Sequence, residues 1–345
     1  MAIVETPHAR SARETLAWSR ELVDPGLRAA VNTLAPAMRL VAGYHFGWYD
    51  EHGAPTRTQG GKAIRPALVV LAAEAVGGSP ATALPAAVAV ELVHNFSLLH
   101  DDVMDGDLTR RHRATAWRVF GNGPAILAGD ALLTLASDVL AASGHPAAQA
   151  GVRTLNTAVL ELVDGQVADL AFEKRDDVGV AECQTMVAGK TGALLGCACA
   201  VGADFGGGST EQVEHLRRFG ELLGLAFQHV DDLLGIWGDP EITGKPVHSD
   251  LRTRKKSLPV VAALTSGTAA AEELAELYHR AEPLSDADLP RAAELVDRAG
   301  GRDWSRRQAD ELLEAALRAL REAAPENRPA AELAALARLA SHRES

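Results

Sequence analysis

Two aspartate-rich segments lie 130 positions apart, each inside an Ala/Leu-rich stretch of helical composition. The first, HDDVMDGDLTRR, carries Asp101, Asp102, Asp105, Arg110 and Arg111. The second, FQHVDDLLGIWGDPEITGK, carries Gln228, Asp231, Asp232 and Lys245. Carboxylates in apolar helices are costly to bury unless something balances their charge. Asp101 and Asp105 are four apart, so on a helix they share one face a single turn apart and repel unless a cation intervenes. Mg2+ takes oxygen ligands, keeps several waters and is commonly shared between a few carboxylates and substrate phosphates. The pattern therefore points to carboxylates holding Mg2+, with the metal and nearby basic side chains holding a diphosphate. A solvated acidic helix end accounts for either motif alone, and accounts poorly for the pair.

The cations are placed to match. Arg110 and Arg111 follow the first motif within two turns, and arginine forks fit phosphate oxygens bidentately. In GKAIRP, Lys62 and Arg65 stand at a helix start, where anions are favoured. His94 precedes Asp101 by seven residues, on nearly the same helix face, and has the reach to donate to a phosphate oxygen. His100 and His229 read as structural. Lys190-Thr191, Lys245 and Lys255 fall at helix breaks or loop edges, each ambiguous alone.

These residues must be positioned by helices. Sustained alternating strand patterns are missing, and helical stretches are punctuated by Pro and Gly. One long helix is expected from Pro85, with proline in its first turn, to about Met104. A second is expected from about Thr210 to Ile236. Both read apolar helix, Asp-Asp, then a Gly-Asp pair, a weak internal repeat. Two such helices would face each other across a bundle cavity, where bundle proteins build metal sites. No linker composition divides the 345 residues, so the expectation is a mobile tail at 1–12 and a single all-α domain at 13–345.

Bulk composition narrows the partners. Hydrophobic residues make up 47%, enough for a sizeable core. The net charge of −12 argues against general nucleic-acid binding. Cys183, Cys197 and Cys199 are an odd count without metal-type spacing, and Cys197 and Cys199, in an Ala/Gly-rich helical stretch, read as small core residues. No signal-peptide core and no run of roughly 18 apolar residues is present, so a soluble cytoplasmic protein without a membrane span is expected.

Taken in order, GKAIRP, ELVHNFSLLHDDVMD, TRR, AILAGDALL, GQVADL, KTGALL, FQHVDDLLG, GDPEITGKP and KKSLP resemble the trans-isoprenyl diphosphate synthase (polyprenyl synthetase) family, most strongly over residues 60–260. The resemblance implies an all-α bundle of the isoprenoid synthase type and condensation of isopentenyl diphosphate with an allylic diphosphate (dimethylallyl, geranyl or farnesyl). Carried over, Lys62, Arg65, His94 and Arg111 would bind isopentenyl diphosphate. Asp101, Asp105 and Asp231 would hold three Mg2+ ions against the allylic diphosphate, with Asp102 and Asp232 in support. Arg110, Lys190, Lys245 and Lys255 would grip that diphosphate, while Thr191 and Gln228 lie nearer the reacting carbons. Phe96 and Ser97, the fifth and fourth residues before Asp101, resemble the chain-length positions of short-chain enzymes of the geranylgeranyl type. A twenty-carbon product is expected, with fifteen carbons the alternative.

Three departures stand out. Gly235 replaces the family's usual third Asp in the second motif. His112 and Ala114 stand where Gly and Pro are usual, a change that would let Arg113 add cationic contacts. His248 replaces a Gly after GKP and would stiffen that loop. The rival readings are a terpene cyclase on the same fold, which needs no isopentenyl site, and a non-catalytic partner subunit or shell-packaged cargo protein. Family members usually dimerise through Ala/Leu-rich helical faces, which implies a homodimer.

Overall fold

The computed structural model describes residues 9–56, 61, 63–240 and 246–341. In chain order the elements are α1 (Ala12–Asn32), α2 (Pro36–His45), α3 (Ile64–Ala75), α4 (Pro80–Met104), the strands β1 (Thr109–Arg110) and β2 (Arg113–Ala114), α5 (Ala116–Phe120), α6 (Asn122–Ala141) and α7 (Ala148–Phe172). There follow α8 (Val180–Val187), a π-helical turn (Ala188–Gly192), α9 (Ala193–Phe205), α10 (Thr210–Trp237), α11 (Ser249–Arg252), α12 (Leu258–Leu264), α13 (Ala269–Tyr278), α14 (Asp288–Arg298), α15 (Gly301–Glu322) and α16 (Asn327–Ser341). The fold class is all-α, as the missing strand periodicity implies. Contacts gather into two compact units, each discontinuous in sequence. Unit 1 comprises Met1–Thr157, Cys197–Arg217 and Leu320–Leu336; unit 2 comprises Ala158–Gly196, Arg218–Ala319 and Ala337–Ser345.

Unit 1 is organised on α3 and α4. Helix α3 is buried continuously from Pro66 to Ala73, as expected of a helix apolar on every side. Helix α4 begins earlier than its sequence suggests. Ser79 caps it through the Thr82 N–H (3.4 Å) and Pro80 occupies its first turn, so Pro85 lies inside the helix. Its core face runs from Ala83 to Leu99 and turns polar at the first acidic motif. At the other end of the chain, Glu332 is buried between Arg10 (2.9 Å) and Arg328 (3.2 Å), and both arginines also reach Glu74 of α3. That network ties down Arg10, inside the stretch the sequence assigns to a tail, and Ser11 caps α1 through the Glu14 N–H and side chain.

Unit 2 holds two apolar cores. One joins Ile236, Leu251, Val260, Leu274 and Val296; the other joins Phe172, Cys183, Met186, Leu258 and Val261. Cys183, Cys197 and Cys199 are buried, for Cys197 and Cys199 in keeping with the core role read from sequence. Among the described residues, Pro80–Met104, Asn122–Ala141 and Val180–Phe205 are long and apolar enough to cross a membrane. The first and last are 67% and 83% buried within the protein, which accounts for their composition; Asn122–Ala141 is only 33% buried.

Candidate active site

The apolar face of α4 carries the first acidic motif to the helix C-terminus, where Asp105 is the cap residue. The carboxylates there separate into two kinds. Asp101 is half-buried and Asp105 exposed, one turn apart, whereas Asp102 is buried and accepts the Arg110 Nε–H at 2.7 Å. Burial pushes Asp102 up to about 6, against the pull of Arg110. Arg110 and Arg111 are delivered by the β1–β2 hairpin, whose two loop residues, Arg111 (φ 53) and His112 (φ 61), both adopt left-handed backbone. Such a turn ordinarily takes Asn-Gly, so this loop carries strain at a residue with a functional assignment. Arg113 does not join the site. It donates to the carbonyls of Tyr44 (3.0 Å) and Tyr49 (2.9 Å) and lies 4.2 Å over the Tyr44 ring, so its expected cationic contact is a structural one.

A second group in unit 1 gathers Arg65, His94 and Arg111 around a residue that sequence reasoning missed, Glu91. Arg65 Nη1 donates to His94 Nε2 at 3.2 Å, which leaves the ring proton on Nδ1. Burial, with the Arg65 and Arg111 charges, holds His94 well below the usual histidine range. Burial likewise draws Arg65 down to about 10, opposed by Glu91. Glu91 is itself buried, which raises its pKa, and Arg65, Arg111 and Arg20 oppose the rise. It takes an N–H from Asn95 at 3.0 Å. A cavity of about 330 Å3 opens beside Arg20, Gly61, Glu91 and Arg111. A Cβ at Gly61 would stand 2.6 Å from the Arg111 guanidinium, so a side chain there would displace the end of that arginine. Lys62 lies outside the described residues.

This arrangement sets a pH dependence. A histidine held neutral by the fold stabilises fully above its ordinary pKa of 6.5 and loses that contribution as pH falls below it. Each such histidine adds a slope of about 1.4 kcal/mol per pH unit. The His94→Gln protein should therefore lose stability between pH 6 and pH 5 less steeply than wild type, by about that amount per unit, in urea unfolding. Equal slopes would show that His94 takes up its proton in the folded state.

Unit 2 arranges the second motif in the same two kinds. On α10, Asp231 is exposed and Asp232 buried. Asp232 accepts from Lys255 Nζ (3.2 Å), Gln228 Nε2 (2.8 Å) and the Leu258 backbone N–H (2.9 Å). Gln228 Oε1 in turn accepts the Thr191 hydroxyl at 2.9 Å. With its proton committed to Gln228, the Thr191 oxygen has only lone pairs left to offer, the end of a dipole suited to a positive charge. Thr191 and Lys190 belong to the π-helical turn, whose widened backbone interrupts the ordinary hydrogen-bond ladder at this point. Lys190 Nζ is held by Asp169 Oδ2 of α7 at 2.5 Å, another partner missed from sequence although GQVADL contains it. Burial pulls the Lys255 ammonium toward neutrality, but Asp232, Asp250, Asp169 and Asp231 together outweigh it and hold its pKa well above the ordinary lysine value. His229 packs structurally, 3.1 Å from Ser305 Oγ.

Lys245 lies outside the described residues. His248 takes φ 63, the left-handed backbone that makes Gly usual there; here it is met at a cost in strain. Phe96 and Ser97 are buried on α4, with Phe96 edge-on to the His100 ring at 4.8 Å. Among the described residues no three His, Cys, Asp or Glu side chains converge to enclose a metal. Exposed carboxylates beside buried ones already anchored by cations suit Mg2+, which completes its shell with water and phosphate oxygen.

A family model described as polyprenyl synthetase matches residues 48–296. The (2E,6E)-farnesyl diphosphate synthase of Mycobacterium tuberculosis is 48% identical over 331 residues, 95% of this chain and 92% of that protein. The geranylgeranyl diphosphate synthase of the same organism is 46% identical over 321 residues, 93% and 91% of the two chains. Among solved structures, a polyprenyl synthetase from Streptomyces coelicolor A3(2) superposes with a TM-score of 0.90 at 50% identity, covering 94% of this chain and 98% of its own. With both acidic motifs, the Arg65–His94–Arg111 group and the Lys190–Thr191 turn in place, the chain belongs to the polyprenyl synthetase family.

Proposed function

We infer that the chain is a trans-prenyltransferase condensing isopentenyl diphosphate with an allylic diphosphate. The observation that carries this reading is the part-buried group of Arg65, His94 and Arg111 around buried Glu91, a cationic cradle additional to the Asp102–Arg110 pair. A cyclase, which ionises one prenyl diphosphate alone, has no use for a second anion-binding group. In the reaction the allylic C–O bond breaks and its electron pair leaves with diphosphate. The isopentenyl double bond supplies the pair for the new C–C bond, and a proton is then lost to the released diphosphate. Asp101 and Asp105 in unit 1 and Asp231 in unit 2 are the residues that would hold Mg2+, expected as three ions, and the metal when bound would supply charge neutralisation on the leaving group. Arg110, Lys190, Lys245 and Lys255 orient that diphosphate, with Asp102 and Asp232 fixing Arg110 and Lys255. Thr191, its proton held by Gln228, faces the cation with lone pairs.

The test is to incubate purified protein with Mg2+, labelled isopentenyl diphosphate and each allylic diphosphate in turn. Prenyl diphosphates of one dominant length support the reading. Hydrocarbons or alcohols formed without isopentenyl incorporation would move it to a cyclase, and no turnover to a non-catalytic partner or packaged cargo.

For the product we favour geranylgeranyl diphosphate, with farnesyl diphosphate the alternative, because Phe96 is the bulky group one turn beneath Asp101 on α4. Replacing Phe96 with Ala should lengthen the dominant product by at least one five-carbon unit in an extension assay; an unchanged product would remove Phe96 from the length-setting role. A homodimer is supported by exposed apolar side chains in each unit, Ile126 and Leu127 of α6 in unit 1 and Leu160, Val163 and Val167 of α7 in unit 2. Large apolar patches on a folded surface mark association sites. Sedimentation of wild type against Leu127→Asp tests it: a dimer dissociated by the added charge supports the assignment. A cytoplasmic location accords with three reduced cysteines.

A further inference from the structure

Helix α1 carries none of the motifs that make the resemblance, yet one of its side chains reaches the Arg65–His94–Arg111 group. Arg20, partly buried, donates from Nη2 to the Gly61 carbonyl at 2.6 Å. A guanidinium donor at that distance makes a strong, charge-assisted hydrogen bond. Gly61 also lies against Arg111, since a Cβ at 61 would stand 2.6 Å from that guanidinium. One glycine thus joins an arginine of α1 to an arginine of the β1–β2 hairpin, and the chain passes from it directly to Lys62. Arg20, Gly61, Glu91 and Arg111 line the same cavity of about 330 Å3, and the Arg20 charge acts on both Glu91 and Arg111.

The attachment of α1 does not need this arginine. Val23, Leu27 and Val31 are buried along the helix, and Gly26 comes so close to α4 that a Cβ would stand 2.8 Å from Val88 Cγ2. Arg10 and Ser11 fix its start. Arg111, by contrast, comes from a turn residue with left-handed backbone, so the place of its guanidinium depends on what it packs against. Arg20 holds that support in place from a helix that is already seated.

We propose that Arg20 is a positioning residue for isopentenyl diphosphate, holding the Gly61 backbone, and through it the end of Arg111, where the diphosphate binds. The inference rests on the prenyltransferase reading. Arg20 touches no reacting atom, so its loss weakens one substrate and leaves the chemical step alone. Losing a hydrogen bond from a charged donor corresponds to roughly tenfold or more in binding.

The experiment is Arg20→Met and Arg20→Gln in the full chain, with Arg20→Lys as the conservative variant, read by steady-state kinetics with Mg2+ and by thermal unfolding. In both neutral variants the KM for isopentenyl diphosphate should rise roughly 10- to 30-fold, with kcat and the allylic KM within about twofold of wild type. Arg20→Lys keeps the charge and a donor but not the fork, and should fall between them and wild type. Melting temperatures should stay within about 4 °C, because the apolar seat of α1 is untouched. An unchanged KM for isopentenyl diphosphate, or both KM values rising together with a fall in kcat, would overturn the proposal. So would a lysine variant as impaired as the neutral ones, or failure of both neutral variants to fold, which would assign the arginine to the fold itself. Absence of isopentenyl incorporation by wild type would instead sink the prenyltransferase reading, so the two failures are distinguishable.

Discussion

Replacing Asp231 with Ala should lower kcat about a thousandfold while leaving stability within about 1 kcal/mol of wild type. Replacing its neighbour Asp232 should do something different. Asp231 is exposed on α10, and the chemistry assigned to it is charge neutralisation on departing diphosphate, which the unfolding equilibrium does not sense. Asp232 has 2% of its side chain exposed and takes hydrogen bonds from Lys255, Gln228 and the Leu258 backbone. Truncating it strands three donors, one of them charged. Breaking a buried pair costs several kcal/mol; with Lys255 about a third exposed the expectation is discounted to about 2–4 kcal/mol. Activity falls with it, through the loosened Thr191–Gln228 chain. The first motif should repeat the contrast, Asp101→Ala costing rate and Asp102→Ala releasing Arg110 at a cost in stability. Urea unfolding beside steady-state kinetics on the four variants decides it. If all four lose rate and stability in the same proportion, the division of each motif into a metal-facing and an anchoring carboxylate is wrong.

That division also marks how far the sequence could be read. Asp101, Asp105 and Arg110 could be named as candidates because metal and phosphate chemistry needs particular residue types at local spacings, whereas Lys190 and Gln228 took their roles from the family resemblance. The all-α class followed from the missing strand periodicity. Glu91 and Asp169 were not legible, because each is defined by partners that spacing does not reveal. Asp169 meets Lys190 across 21 positions, and Glu91 balances arginines from α1, α3 and the hairpin. A signal for Glu91 was present all the same, a lone acid in the otherwise apolar run VAVELV of α4. The hairpin carrying Arg111 gave no such signal, since Arg-His occupies a turn that ordinarily announces itself as Asn-Gly. For α4, Ser79-Pro80 is the start signal, and Pro85, expected in the first turn, lies inside the helix.

The departure at Gly235 leads to the other large effect. Gly235→Asp restores the family's third aspartate, yet it should weaken this protein, by about 1–3 kcal/mol in stability and roughly tenfold in kcat/KM. The space is taken: a Cβ at 235 would stand 2.7 Å from Asp250 Oδ1. Asp250 is held there by Lys255 (3.6 Å) and by Ser249 Oγ (3.3 Å), and the same hydroxyl also reaches the Gly235 carbonyl at 3.2 Å. A new carboxylate would push Asp250 off Lys255 and crowd a further negative charge beside Asp231 and Asp232. Adding Asp250→Ala to Gly235→Asp should then recover at least half of the lost stability, a coupling that independent sites would not show. Titrating Mg2+ in the activity assay closes the argument. If Gly235→Asp alone lowers the Mg2+ needed for half-maximal rate without loss of stability, the motif lacks a carboxylate that the site can use. If the single variant is impaired and the double variant recovers, Gly235 is glycine because Asp250, fifteen positions later, already fills the place of the missing side chain.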